Sequence, residues 1–231
     1  RTIAEYGFVN KPEPTKLKEA YQYKVLAKLK LIGFFRKLIA QNRNYLEAIN
    51  NNSFECDAVS LVTPVKNEID HLKVAIRAVK KDVEKILIEN CPELYQQYMS
   101  IPGIGPAVAG AIICYYGDFS GFSDSKKAAA FAGICPRVCK SGSSVDKQCS
   151  ISKKGNSMRR TLFYLASLSA ARCNDACQKT YLKLTQAGKP AKVALIATAN
   201  KLLRQAMALA RKGEFFIENY KEISPCTAKT T

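Results

Sequence analysis

Two interleaved sets of apolar residues, each repeating every seven positions, constrain the fold of this chain more than any other feature. The sets are offset by three residues, which is the pattern of a helix with a single apolar seam. Their members are Val62, Ile69, Ile76 and Val83, and Val65, Leu72, Val79 and Ile86. Thr63 as N-cap and Pro64 at the first helical position predict where the helix begins. The seam indicates either a hairpin packed on its own domain or a coiled coil between subunits.

A second long helix is predicted upstream, from about Thr15 to the asparagine run that begins at Asn50. Its apolar and aromatic positions keep a 4-3 spacing, namely Leu31, Phe35, Leu38, Tyr45 and Ile49. His71, the single histidine, lies beside the neighbouring seam and is predicted to be a surface residue. No internal repeat occurs, and no alternating segment compels a sheet. The sequence therefore predicts a mainly α fold, with a long coiled-coil helical hairpin followed by a compact helical domain.

The compact domain is predicted to contain shorter helices with recognisable ends. Three of them cover about residues 93–99, 157–172 and 190–212. A Lys-bearing helix, capped by Ser123 and ended by Gly133, lies between the first two. Residues 134–150 lose the helical period and predict a loop or a loose hairpin. At the two termini, Arg1 to Gly7 predicts the last turns of a helix, and residues 214–231 predict a loosely held tail.

A glycine-rich turn stands between the predicted hairpin and the compact domain. Ile101-Pro102-Gly103-Ile104-Gly105-Pro106-Ala107 has the pattern of a helix-hairpin-helix motif. Glycine permits a tight turn and close approach of the backbone, and the next helix presents unpaired N–H groups at its N-terminus. Such an end binds a phosphate without reading base sequence. The motif indicates binding to a DNA backbone, and the alternative is a purely structural turn.

The charge of the chain indicates an anionic partner. Lys and Arg number 36 against 19 Asp and Glu, which gives a formal charge of +17. Nucleic acid is the commonest reason for such an excess, because each neutralised phosphate releases counterions. A membrane-surface role is disfavoured, and the longest apolar run, Ala107 to Tyr116, is shorter than the ~20 residues of a spanning helix. The sequence predicts a cytoplasmic DNA-binding protein without a membrane partner.

The cysteines and acidic residues limit the metal sites that the chain can form. Nine cysteines without a signal-like N-terminus indicate reduced thiols. The pairs Cys135/Cys139 and Cys173/Cys177 have spacings that suit zinc, but buried thiols that pack as small hydrophobes explain them as well. Acidic residues between 101 and 160 are too sparse for a two-metal phosphodiesterase site. No Walker-type loop is present, so nothing indicates use of ATP.

The segment from 137 to 160 combines serines with many basic residues. Ser141 lies between Lys140 and Gly142, and a serine hydroxyl needs a base, a metal or positive charge on the reacting phosphate to act as a nucleophile. By residue type alone, Ser143 and Ser144 are equally plausible, and a solvated serine is the plain alternative. The predicted nucleic-acid-binding residues are Gly103, Gly105, Ala107, Lys126, Lys127, Arg137, Lys140, Lys153, Lys154, Arg159 and Arg160.

Several linked motifs resemble a known family. In order they are Ser100-Ile-Pro-Gly-Ile-Gly105, Phe131-Ala-Gly-Ile-Cys-Pro136, Ser141-Gly-Ser-Ser144, Ile151-Ser-Lys-Lys-Gly155, Arg159-Arg160, and Gly188-Lys189 through Lys201-Leu-Leu203. They resemble the C-terminal domain of bacterial insertion-sequence transposases related to the Piv pilin-gene invertase, the bridge-RNA-guided DEDD recombinases. The resemblance covers about 96–213 strongly, and it covers 16–95 only in kind, as the coiled-coil region of the family.

The resemblance implies cut-and-join DNA recombination through a covalent link between a serine and a 5′ phosphate. It assigns the nucleophile to Ser141 and implies a guide RNA and a homo-oligomer, dimer or tetramer, held by the coiled coil. The family's Mg²⁺ is bound by four acids of a RuvC-like domain, and Arg1 to Gly7 resembles the segment that comes after the last of these acids. We therefore expect residues 1–15 to be the end of such a domain and a linker, and residues 96–213 to be the serine-bearing domain. We also expect this chain to hold no cofactor. We expect it to bind nucleic acid but not to recombine it alone. The alternative is a non-catalytic helix-hairpin-helix module.

Overall fold

The computed structural model describes residues 2–11, 17–51, 58–135, 140–141, 145–146, 151 and 156–218. Within them the chain forms nine helices and two strands of two residues each, so the mainly α prediction is confirmed. The helices are α1 Thr2–Asn10, α2 Ala20–Asn51, α3 Ala58–Asn90, α4 Pro92–Met99, α5 Pro106–Tyr116, α6 Ser125–Ala132, α7 Ser157–Cys173, α8 Asp175–Gln186 and α9 Ala191–Lys212. The strands are β1 Lys140–Ser141 and β2 Val145–Asp146.

The two long helices pack against each other along one side. The α3 seam predicted from the heptads is used for this contact, because Ile69, Leu72, Ile76 and Val83 are buried within the chain. The partner stripe on α2 differs from the prediction. It consists of Val25, Leu29, Ile32 and Ile39, whereas Leu31 and Tyr45 are exposed. The prediction was right in part, since Phe35 and Leu38 pack against the core. It was wrong for Leu31 and Tyr45 because α2 carries apolar residues on two faces, and spacing alone does not say which face is covered.

Three predicted helix boundaries were also wrong. Gly7 lies inside α1, since one glycine lowers helix stability without ending a helix. Pro64 lies inside α3, which begins at Ala58, so Thr63 is not its N-cap. The cap of α6 is Asp124 rather than Ser123, because its carboxylate accepts the Lys127 amide at 2.7 Å. Helix α8, capped by Asn174, was not predicted at all.

Helix α5 is the centre of the core. Nine of its residues are buried, as expected of a helix that is apolar on all sides. It contacts α2, α3, α4 and α7. Gly110 permits the closest of these contacts, because a Cβ there would lie 3.2–3.3 Å from side chains of Leu87, Val25 and Val83. The hydrophobic core therefore continues from the long hairpin into the compact domain.

Helices α6 to α9 form the other half of the core. Helices α7, α8 and α9 contact one another, and α6 lies against α7 and α9. The beginning of the predicted tail is held in place, since the Phe216 amide donates to the Ser100 hydroxyl at 2.9 Å. His71 is exposed, as predicted. No helix among the described residues is long and apolar enough to cross a membrane.

Candidate nucleic-acid interface

The first turn of α7 carries two adjacent arginines at a place where helices disfavour cations. Asn156 caps the helix, with its side-chain oxygen accepting the Met158 amide at 2.8 Å. Arg159 and Arg160 follow in the first turn. The N-terminus of a helix carries partial positive charge, so cations there reduce helix stability whereas anions increase it. The two arginines therefore indicate an anionic partner and not a contribution to the helix itself.

Arg159 is buried between two aromatic rings. Only 9% of its surface is exposed, and its guanidinium carbon lies 3.6 Å from the Phe131 ring centroid and 5.1 Å from that of Tyr115. Burial lowers the pKa of the guanidinium below its usual value, because removal from water disfavours the charged form. Phe131 is itself fixed by an edge-on contact with Tyr116, with ring centroids 5.3 Å apart. The orientation of this guanidinium is therefore set by the packing of α5, α6 and α7.

The hydrogen-bonding capacity of both arginines is incompletely used. Arg159 Nε and Arg160 Nη1 are shielded from solvent and have no hydrogen-bond partner among the described residues. In the same part of the chain, neither guanidinium forms an ion pair. A buried donor without a partner costs about 1–3 kcal/mol, and more when it is charged. An anion bound at this place would remove that cost.

Lys18 adds a third cation that the sequence analysis missed. Its ammonium group lies 5.4 Å from the centroid of the Tyr115 ring and donates to the Cys114 carbonyl. Tyr115 thus lies beside both Lys18 and Arg159. No sequence signal joins these residues, because Lys18 and Cys114 are 96 positions apart.

The segment that carries Ser141 connects the helices that bear Phe131 and Arg159. It leaves the described core at Cys135, four residues after Phe131, and returns at Asn156, three residues before Arg159. Phe131 and Arg159 are in contact, so the segment joins two helices that meet at this guanidinium.

The described backbone of that segment contains a short antiparallel ladder. Lys140 pairs with Asp146, and Ser141 pairs with Val145, across a connection of three residues. This agrees with the predicted hairpin, and it fixes the backbone of Ser141 next to the turn. Only the backbone of Lys140 and Ser141 is described, and Arg137, Lys153 and Lys154 lie outside the described residues.

The glycine turn is used mainly for packing. Gly103 has φ +99°, and a Cβ on it would lie 2.6–2.8 Å from the Cβ, Cα and N atoms of Ala170 on α7. Ala107 is buried, whereas a Cβ on Gly105 would meet nothing within 4 Å. This contact alone accounts for a glycine at position 103, as expected of a purely structural turn, and no ligand is needed to explain it. Phosphate binding by these three residues stays a prediction.

A buried amide network ties the glycine turn to α8 and α9. The Asn174 amide group donates to the Pro102 carbonyl at 3.3 Å and to Gln205 Oε1 at 3.1 Å, and Gln205 donates back at 3.3 Å. Asn174 Oδ1 also caps α8 by accepting the Cys177 amide at 3.2 Å. One side chain therefore fixes the turn against two helices.

The other predicted positions are exposed or separate from the arginine site. Lys126 and Lys127 are exposed in the first turn of α6, the helix that carries Phe131. Among the described residues, no group of three or more His, Cys, Asp or Glu side chains could hold a metal ion. Cys177 is buried, which raises the pKa of its thiol to about 12, and the thiol donates to Gln205 at 3.7 Å. This contact fits the interpretation of Cys177 as a small packed residue, while Cys139 lies outside the described part.

Comparisons with known proteins point to transposases. The relatives include the pilin gene-inverting proteins of Moraxella lacunata and Moraxella bovis, each 28% identical over 225 residues, with 95% of this chain and 67% of the relative covered. A probable family 20 transposase of Pseudomonas aeruginosa is 29% identical over 153 residues, with 64% of this chain and 44% of that protein covered. The model of the Transposase IS116/IS110/IS902 family matches residues 95–183, which contain both Ser141 and Arg159. The segment from α4 to α8 is therefore similar to the transposase domain of the IS116/IS110/IS902 family.

Proposed function

We propose that this chain is part of a DNA transposase or recombinase of an insertion sequence, with Ser141 as its nucleophile. One observation carries the proposal. The segment that bears Ser141 joins α6 to α7, and these two helices meet at a buried arginine that has no ion-pair partner among the described residues. Ser141 and this arginine both lie within the match to the transposase family. The names of the relatives support the same chemistry, because gene inversion and transposition both require that DNA strands be cut and rejoined.

In the proposed step, the Ser141 hydroxyl oxygen attacks the phosphorus of a DNA phosphodiester. A bond forms between that oxygen and the 5′ phosphate, and the bond to the 3′ oxygen breaks, so that a 3′-hydroxyl leaves. The serine proton goes to a base, and the leaving oxygen takes up a proton. Attack by the 3′-hydroxyl of another strand then reverses the link and joins the two strands. Positive charge near the phosphate lowers the barrier, because the transition state carries negative charge on its oxygens.

The described residues do not supply the Mg²⁺ site that the family resemblance implies. Two-metal phosphoryl transfer needs carboxylates held close together, and the described part of this chain has no such group. We propose that the chain alone binds DNA and guide RNA but does not cut DNA, and that carboxylates from elsewhere complete the site.

We also propose that the chain forms a homo-oligomer through its long hairpin. The α3 seam is occupied inside the chain, so this contact would use the outer face of α2. That face presents exposed apolar side chains along the helix, namely Tyr23, Leu31, Phe34 and Tyr45. Sedimentation of Phe34→Glu beside the unaltered chain tests this: the variant should sediment as a monomer, and an unchanged oligomer would place the contact elsewhere.

Backbone crosslinking tests where DNA lies on the chain without requiring catalysis. A duplex that carries a photoreactive group on one phosphorothioate is bound and irradiated, and the crosslinked peptides are identified by mass spectrometry. We expect crosslinks in residues 126–160. Crosslinks confined to the glycine turn at 101–107 would favour a non-catalytic helix-hairpin-helix module. Crosslinks confined to α8 and α9 would refute the placement.

A covalent assay tests the nucleophile itself. The chain is incubated with Mg²⁺ and a nicked suicide duplex, and protein–DNA adducts are separated under denaturing conditions. We expect no adduct from the chain alone. An adduct that Ser141→Ala abolishes and that the matched variants Ser143→Ala and Ser144→Ala leave intact would refute inactivity while confirming the nucleophile. An adduct that survives Ser141→Ala would refute the assignment of Ser141.

A further inference from the structure

The buried guanidinium of Arg159 lacks the partner that such groups normally have. Buried charges in proteins are usually paired with an opposite charge, because removal from water is expensive. Arg159 is nine-tenths buried and forms no ion pair in the described part of the chain. Its contacts with two rings return only part of the cost, since a cation–π contact contributes about 0.5–2 kcal/mol. A thioether or aliphatic side chain would suit the same rings without that cost.

The contact with Phe131 leaves the hydrogen-bond donors of the guanidinium uncommitted. At 3.6 Å from the centroid of Phe131, the group lies on the face of the ring. All five guanidinium N–H bonds lie in its own plane, so stacking on a ring does not consume them. Arg159 Nε has no partner within the described chain. An in-plane edge held in a fixed orientation is suited to bidentate contact with the oxygens of a phosphate.

The surroundings favour a phosphate over a singly charged anion. Lys18 and Arg159 both lie against the Tyr115 ring, and Arg160 adds a second shielded donor without a partner among the described residues. The N-terminus of α7, a helix of 17 residues, contributes further positive potential. Three cations and a helix N-terminus without a described acidic partner match the charge of a phosphoryl group.

We propose that Arg159 forms the floor of a single-phosphate pocket, which holds one phosphodiester group of the DNA where α6 and α7 meet. Phe131 and Tyr115 are positioning residues, because they orient the guanidinium without touching the phosphate. This proposal rests on the proposed function and makes it more specific. The exposed lysines hold the DNA backbone generally, whereas Arg159 selects which phosphate is presented to the serine segment.

The test uses inorganic phosphate as the probe and the side-chain N–H resonance of each arginine as the readout. In the unaltered chain, the Arg159 Nε–H signal should move on titration with phosphate at constant ionic strength. Arg172, exposed in the last turn of the same helix, is the matched control and should not move. An Arg159 signal that stays fixed up to tens of millimolar phosphate overturns the pocket.

Two substitutions separate a ligand site from a purely structural contact. Phosphate should raise the unfolding temperature of the unaltered chain. Arg159→Met keeps a flexible apolar side chain against the rings, so we expect its unfolding temperature without phosphate to equal or exceed that of the unaltered chain. Phosphate should no longer raise the unfolding temperature of this variant. Arg172→Met should retain that stabilisation in full. If Arg159→Met lowers the unfolding temperature and phosphate still stabilises it as strongly as the unaltered chain, the arginine is structural and the pocket is refuted.

Phe131→Leu tests the positioning role separately from the charge. It keeps apolar volume but removes the ring face, and we expect phosphate to bind at least several-fold more weakly while the Arg159 charge remains. An unchanged phosphate affinity would show that the ring does not orient the guanidinium.

Binding of a DNA duplex, followed by fluorescence anisotropy, distinguishes failure of this pocket from failure of the proposed function. If DNA binds and crosslinks near residues 126–160 while the Arg159 signal ignores phosphate, only the pocket fails. If phosphate moves the Arg159 signal but DNA binds no better than a polyanion such as heparin and crosslinks elsewhere, the DNA function fails. The anion pocket itself would then stand.

Discussion

Substitution of Gly103 by alanine tests whether the glycine turn is built for packing or for a ligand. The new Cβ would lie 2.6–2.8 Å from three atoms of Ala170, two of which belong to the backbone. Backbone atoms of a packed helix cannot rotate away, so the turn or α7 must shift. The residue would also have to keep φ +99°, a conformation that side chains with a Cβ disfavour.

The expected loss of stability combines these two effects. Left-handed backbone costs a residue with a Cβ about 1–2 kcal/mol, and overpacking in a filled core costs about 1–3 kcal/mol. The lower entropy of the unfolded alanine chain returns about 0.4–1 kcal/mol. The net loss is about 1–5 kcal/mol, which corresponds to a fall in unfolding temperature of roughly 2–20 °C for a chain of this size.

Thermal unfolding and DNA anisotropy, measured on the same samples, decide between the two roles. Gly33→Ala is the matched control, because Gly33 lies in the exposed middle of α2 with nothing within 4 Å of a new Cβ. It should stabilise the chain by about 0.5–1 kcal/mol. A Gly103→Ala variant that unfolds at the normal temperature but binds DNA weakly would refute the packing argument and favour a glycine kept for close approach of a phosphate.

Three further predictions concern stability, salt and pH. Asn174→Ala removes the cap of α8 and leaves the Pro102 carbonyl without this donor, so chemical denaturation should show a loss of about 3 kcal/mol. Reversal of Lys153 and Lys154 to Glu should lower the slope of log affinity against log salt by about 1.8, since each phosphate contact contributes about 0.9; an unchanged slope places the binding surface elsewhere. Burial raises the pKa of the Cys114 and Cys177 thiols to about 12, so they release protons more readily in the unfolded chain. Their contribution to stability should be complete below the ordinary thiol pKa and fall as the pH rises from about 9 towards 12, which denaturation midpoints at pH 8 and pH 10.5 would reveal.

The sequence was sufficient where a local signal decides the structure. Helix α4 follows Cys91-Pro92, α7 follows the Asn156 cap, and α9 ends at Gly213, and each was predicted within one or two residues. Each boundary depends on the conformational preference of a proline, a capping side chain or a glycine at the end itself. These preferences act over a few residues and need no knowledge of the tertiary fold.

Prediction from the sequence failed where the structure depends on packing between elements that are distant in the chain. The local cap of α8, in which Asn174 accepts the Cys177 amide, went unused in the sequence analysis, whereas the bond from Asn174 to Gln205, 31 residues later, has no local signal. Leu31 and Tyr45 of the predicted α2 stripe are exposed, whereas Phe35 and Leu38 pack against the core, because both faces of the helix carry large apolar residues. Only the position of α3 and α5 decides that Val25 and Ile32 are covered while Tyr45 is not.

The candidate site shows the same division between local and tertiary information. Charge and helix position indicated that Arg159 and Arg160 bind an anion. These signals did not distinguish the two arginines from the nearby lysines. The structure separates Arg159 from those residues, because α5 and α6 bring Tyr115 and Phe131 against it from positions 44 and 28 residues earlier in the chain. No periodicity predicts that contact, since it depends on the order in which three helices pack.

The difference between a buried arginine and exposed lysines suggests how a basic protein could bind a nucleic-acid backbone and still select one phosphate of it. Exposed cations interact with every phosphate alike and are weakened by salt, because the screening length is about 8–10 Å at physiological ionic strength. A buried guanidinium is screened much less, but it can meet only a group that enters its pocket in the right orientation. Since the Ser141 segment connects the two helices that meet at Arg159, a phosphate held there would lie between the helices from which that segment extends. The exposed lysines would then supply most of the affinity for DNA, and the buried arginine would determine which phosphate is held.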